Sequence, residues 1–194
     1  MALETVATGL GLLAAGMLVA SALITSPRRM LQVQTGVGLA FGAHFLMLGL
    51  VPAAAMNGLA AVQAAAAILA LRRPAASVVG YGIIPMLWVA GTVAWSGPLT
   101  LLAVAAMTVV ALARMMSSEM PMRFAFLAGS ALWFTHDVLA MAWIPLCADV
   151  LCFVIGLGFI LHRKGVVPAR FAAGFSQRLR EWRNALTAEP RAAA

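Results

Sequence analysis

Charge is what this sequence has least of. Only 10% of its 194 residues are charged, just six are Asp or Glu, and 63% are apolar. The mean hydropathy is +0.99. Soluble domains carry about 25% charged and about 45–50% apolar residues. A soluble chain of this composition would expose far more apolar surface than one small core can hide, with too little charge to solvate the exterior. A soluble enzyme, a disordered tail and a secreted disulfide scaffold are excluded together. Cysteine is nearly absent as well. Cys147 and Cys152 stand five residues apart on different faces of one apolar segment, which argues against an internal disulfide and reads them as small core residues. The N-terminus, Met1-Ala2-Leu3-Glu4, lacks a basic n-region, so the first apolar stretch is expected to be retained as a span. No H-x-x-x-H, E-x-x-H or C-x-x-C spacing marks a metal site. No Gly-rich phosphate loop, Ser-based elbow or carboxylate pair at catalytic spacing marks an enzyme. Neither catalysis nor a cofactor is expected, and the twelve methionines read as scattered core filler.

What is present is length. A helix needs roughly 20 mostly apolar residues to cross about 30 Å of hydrocarbon, and seven such segments fit: about 5–24, 30–48, 53–71, 77–95, 98–113, 122–142 and 144–161. Charge tests the count. With the N-terminus outside, all thirteen Lys and Arg fall in the 1–2, 3–4 and 5–6 loops and the C-terminal tail. The positive-inside rule then gives N-out, C-in, and the basic excess needs no nucleic-acid partner. After Pro168, Phe171, Phe175, Leu179, Trp182 and Leu186 recur at helical spacing beside Arg170, Arg178, Arg180 and Arg183. That pattern reads as an amphipathic helix on the anionic inner leaflet, with docking of a cytosolic partner as the alternative.

The chain also repeats itself. A shift of 92 residues lays Phe41 and His44 on Trp133 and His136, Asn57 on Asp149, and Arg72 on Lys164. Spans 1–3 map onto spans 5–7 and span 4 is unpaired. The expected architecture is all-α: two parallel three-helix bundles in a 3+1+3 arrangement, related by an axis along the membrane normal. Its divisions are 1–73 for the first bundle, 74–96 for the linker helix, 97–165 for the second bundle, and 166–194 for the cytoplasmic helix and tail.

The order Arg-Arg…Gln…Gly…Gly…His-Phe…Leu-Gly…Pro…Asn over residues 28–57, followed by Trp-x-x-His at 133–136 and a basic end to span 7, resembles the bacterial inner-membrane YgjV family. The resemblance covers roughly residues 5–165 and implies a multi-pass protein of the bacterial inner membrane. More widely, that family resembles the PQ-loop, SWEET-like and KDEL-receptor-like group. No Pro-Gln pair occurs in span 1 or span 5, so that group's substrates and proline-hinge mechanism do not carry over.

Ionisable residues inside spans are costly and usually face a bundle interior or cavity. His44 and His136 lie roughly 20 Å from the inner surface, and Asn57 and Asp149 roughly 7 Å from the outer one, at 1.5 Å per residue. All four share nearly one depth, so a two-fold arrangement would gather them around one outward-opening cavity. The functional reading is a binding site, with His136 and Asp149 also able to carry a proton. The competing reading is that each histidine fastens a neighbouring helix, for about 0.6 kcal/mol. Phe41 and Trp133, one turn from their histidines, offer stacking walls or plain packing. Asp137 faces span 7, the other bundle or outer water. Gly36 and Gly38, with their counterparts Ala128 and Ser130, permit close helix approach. The expected function is a small-solute transporter that rocks two bundles about a substrate site of His44, Asn57, His136 and Asp149, joined by Phe41, Trp133 and Asp137. The alternative is a non-transporting receptor or adaptor on the same fold. The expected partners are a small polar solute and membrane lipids, with homo-oligomerisation left open.

Overall fold

The computed structural model describes residues 2–166, and the described residues form helices with no strand. The expected C-terminal amphipathic helix lies outside them. Seven α-helices follow in order: α1 Ala2–Leu23, α2 Pro27–Met47, α3 Val51–Ala70, α4 Ser77–Val93, α5 Pro98–Arg114, α6 Glu119–Leu139 and α7 Trp143–Arg163, with a short 3-10 turn at Pro74–Ala76 before α4. Proline punctuates the starts, because a missing N–H costs nothing in a helix's first turn. Pro27, Pro52 and Pro98 all sit there. The α2–α3 turn closes on Gly49 at φ +73°, a conformation that only glycine adopts without penalty.

Four stretches are long and apolar enough to cross a membrane: Leu3–Leu23, Val51–Ala70, Pro74–Val93 and Pro145–Arg163. Pro98–Arg114 is apolar but shorter. The other two helices, α2 and α6, hold Gln34, His44, Arg123, His136 and Asp137. Among the described residues these two helices therefore carry half of the buried polar side chains, Gln34, Arg123 and Asp137, while Ser21, Gln63 and Asp149 lie on α1, α3 and α7. Elsewhere large apolar side chains face outward, among them Leu12, Leu39, Val62, Val89, Leu101 and Val154, as expected where hydrocarbon is the solvent.

Residues up to Gly156 form one compact unit, and a second begins at Leu157. Within the first, α2 packs on both α1 and α3, α5 on α6, and α3, α4 and α5 on one another. At that junction Ala60, Ile83, Leu87, Met107 and Ala111 form a buried core, with Trp133 of α6 against it. Ile83 and Leu87 lie one turn apart on the inner face of α4, while Pro85 stands exposed between them. Close approach of α2 to α3 rests on Gly38, where a β-carbon would come within 2.9 Å of Ala61 Cβ. In the second unit, the Arg163 guanidinium lies 5.8 Å from the Phe159 ring centre.

A second core, Met30, Leu31, Ala67 and Met122 with Ile24, Met115 and Met116 beside it, joins the 1–2, 3–4 and 5–6 loops at one end of the bundle. This basic end is bound by polar side chains rather than merely solvated by them. Arg123 of α6 is 4% exposed. It donates through Nη1 to Ala22 O at 3.1 Å and through Nη2 to Ile24 O at 2.6 Å, and pairs with Glu119 at 3.1 Å. It thus caps carbonyls at the end of α1 that the helix leaves unpaired. Gln63, fully buried in α3, serves α5 similarly, donating from Nε2 to Ala111 O at 2.9 Å and to Gly80 O at 3.4 Å. Arg114 completes the clamp, donating through Nε to Gln34 Oε1 at 2.8 Å and through Nη1 to Gln63 Oε1 at 3.1 Å. Arg114 and Arg123, expected as loop charges, instead tie α5 and α6 to α1, α2 and α3.

Removing a cap from buried carbonyls costs roughly 1–3 kcal/mol. Arg123→Met is therefore expected to destabilise the detergent-solubilised protein by about that amount in thermal unfolding. Arg72→Met, an exposed change, is expected to leave the melting temperature nearly unchanged.

Candidate functional site

The far end of the bundle holds the ionisable groups that the sequence singles out. His44 is in the last turn of α2, His136 in the last turn of α6, and Asn57 and Asp149 lie near the starts of α3 and α7. The structure divides them.

In the first half, His44 donates from Nδ1 to the Ala7 carbonyl of α1 at 2.7 Å. The imidazole lies flat against Gly11, where a β-carbon would come within 3.0 Å of Cε1. His44 is thus a clasp between α1 and α2. Phe41 and Phe45 stack at 6.0 Å, and both meet the imidazole edge-on, at 6.4 and 4.9 Å. Asn57 turns back on its own helix, donating to Ala53 O at 2.9 Å.

In the second half the polar groups meet one another. His136 donates from Nδ1 to Asp137 Oδ1 at 2.9 Å, and Trp133 packs edge-on against its ring at 5.3 Å. Asp137 is only 2% exposed, and its other oxygen, Oδ2, is buried without a hydrogen-bond partner. Of the three orientations open to Asp137, the one toward α7 is observed: the carboxyl of Asp149, itself buried, lies within hydrogen-bonding reach of it. The two acids stand twelve positions apart in the sequence. The short α6–α7 turn, with Met141 at φ +53°, brings them face to face.

Below this pair a cavity of about 60 Å³ opens between α1, α2, α6 and α7. Its polar lining is Ser21, Gln34, Arg123, Ser130 and Cys152. On α6, Arg123, Ser130 and Asp137 follow one another at spacings of seven, and on α7 Asp149 and Cys152 are one turn apart, so each set shares one helix face. The acid pair and the cavity therefore lie on the same faces of α6 and α7. The cavity has room for a few waters. Both cysteines are free; Cys152 is half-buried at the cavity, but Cys147 is exposed. Its expected place in the core is corrected by the helix turn, which directs Ala148 and Asp149 inward and Cys147 away.

Sequence reasoning passed over Gln34, Gln63 and Ser21. Their signal was available: glutamine inside the Ala-rich run of α3 is costly in hydrocarbon unless it is paired.

An all-helical, multi-pass membrane protein with a small cavity, carrying a few polar side chains, between α1, α2, α6 and α7 is the class that these features define. More narrowly, a family model described as bacterial inner membrane protein, Imp-YgjV, matches residues 5–164. The chain belongs to that family of inner-membrane proteins. No curated protein and no solved structure matches it.

The clasp at His44 predicts a contrast between two glycines of α1. Gly16→Ala meets nothing within 4 Å and gains helix propensity, worth up to about 1 kcal/mol. Gly11→Ala places its β-carbon 3.0 Å from the His44 ring, so an imidazole held by Ala7 O must give way by a few tenths of an ångström. Thermal unfolding is expected to show Gly16→Ala unchanged or stabilised and Gly11→Ala destabilised, with the difference abolished in a His44→Ala background.

Proposed function

We propose that this protein carries a small polar solute across the inner membrane by alternating access, binding it without transforming it. The path is the cavity between α1 and α2 on one side and α6 and α7 on the other. In this reading the chain is N-out and C-in. Helices α1–α3 and α5–α7 move as two bundles in the 3+1+3 manner of the SWEET-like group, and the α3–α4–α5 junction is the pivot.

The observation that carries the reading is the asymmetry of bonding around the cavity. At the basic end, Arg123 reaches from α6 to the end of α1, Arg114 from α5 to Gln34 and Gln63, and Gln63 to Ala111. Each of these bonds crosses between the two halves. At the far end, the bonds of His44, Asn57 and His136 stay within one half. A bundle latched across its cytoplasmic end, with its periplasmic halves held separately, corresponds to one of the two states that alternating access requires.

The solute's polar contacts come from Ser21, Gln34, Ser130 and the acids above them, and Phe126 and Leu127 form the wall on the α6 side, with His136 beside the acids and Trp133 packed against the α3–α4–α5 core. His44, Asn57 and Phe41 then hold the shape of the first bundle instead of touching the solute. In this reading the site is narrower than one cavity shared by His44, Asn57, His136 and Asp149.

Cysteine accessibility tests the proposal. In a Cys147→Ser background, Cys152 at the cavity is expected to react with a membrane-impermeant maleimide from the periplasmic side of oriented vesicles. Arg114→Gln, which releases the latch, is expected to raise its labelling from the cytoplasmic side several-fold. A Cys152 that is shielded from both sides in both proteins would count decisively against a path through this cavity.

A further inference from the structure

The chain contains only two aspartates, Asp137 and Asp149, and folding places them against each other. Each belongs to a different helix, each is more than nine-tenths buried, and their carboxyl groups lie within hydrogen-bonding reach. One oxygen of Asp137 takes the His136 N–H, while the other is enclosed with no donor. A buried acceptor without a partner forfeits its full solvation. Two ionised carboxylates held this close in an apolar bundle repel each other, and the one His136 N–H on Asp137 Oδ1 offsets only part of that repulsion.

We infer that Asp137 and Asp149 form a binding site for a single proton, shared between the two carboxyl groups. A proton there gives Asp137 Oδ2 the donor it lacks and turns a repulsive contact into a short hydrogen bond. The site fits a proton better than a metal cation, since hard cations take six or more oxygen ligands, and among the described residues no three His, Cys, Asp or Glu are placed to hold a metal ion together.

Around the pair, the ionisable neighbour on α6 is His136, whose side chain is 22% exposed and so connects the pair to the outer water. On α7 they are Cys152, one turn away, and the exposed Cys147. On α5 the one ionisable residue, Arg114, belongs to the opposite end. On α1, Glu4 is exposed, and on α2 His44 is engaged by Ala7. In transport, which rests on the reading above, the proton would enter past His136 and leave when the cavity opens to the cytoplasm, making it the coupling ion.

Because the chain has no other aspartate, carbon-13 labelling of aspartate carboxyls reports this pair and nothing else. Nuclear magnetic resonance of the labelled full chain in lipid nanodiscs, titrated from acid to alkaline pH, is expected to show one protonated and one ionised carboxyl, or one averaged signal between them, persisting through neutral pH. Asp149→Asn is expected to remove that behaviour and leave Asp137 as a single ionised carboxylate. Two ionised carboxylates at neutral pH in the wild type would overturn the inference. So would signals that move on adding sodium at fixed pH, which would assign the site to a metal cation. The wild-type titration stands even if a variant does not fold. It uses no solute, so it separates proton binding from transport: a protonated pair in a protein that transports nothing leaves this inference intact and removes only the coupling role.

Discussion

Hydrocarbon offers no hydrogen bonds, so every polar group that enters it must find a partner in the protein. That constraint arranges this bundle at both ends. Helix ends are where the backbone runs out of internal partners, and at the basic end the shortfall is met by long side chains from the opposite half: Arg123 for α1 and Gln63 for α5. A residue borrowed across the bundle to cap a helix also fastens the two halves together. The caps and the ties between the two halves are one set of bonds.

The far end meets the same constraint differently. His44 and Asn57 are satisfied by nearby main-chain carbonyls, which leaves them structural. The second half leaves Asp137 Oδ2 without a donor. An unmet bond in so apolar a protein is informative because the rest of the bundle is so well satisfied: among the described residues, it is the one buried side-chain N or O atom lacking a partner. The cavity between latch and acid pair joins the two ends into one polar column along the facing sides of α6 and α7.

Much of this was legible in the sequence. Seven helices and most of their boundaries follow from apolar runs of membrane length and from prolines at helix starts. The places of His44 and His136 near the ends of α2 and α6, and of Asn57 and Asp149 near the starts of α3 and α7, follow from counting residues along the apolar runs. Partner choice was not legible. Arg114 and Arg123 read as solvated loop charges because a basic residue near a helix end looks the same whether it faces water or reaches to a carbonyl across the bundle. His44 binds a main-chain oxygen, which has no sequence signature. Asp137 and Asp149 stood as separate candidates, because their pairing depends on how tightly α6 turns into α7. The polar residues matched by the 92-residue shift take different partners in the two halves, so the shift predicted position better than role.

Distance measurements between the halves test the central claim most directly. Spin labels at Thr25 and Ser117 span the basic end, and labels at Leu3 and Ala140 span the far end. The account predicts that Arg114→Gln adds a longer distance at the basic end and a shorter one at the far end, as two bundles rocking about a pivot require. Distances that stay fixed at both ends, or lengthen at both together, would contradict it.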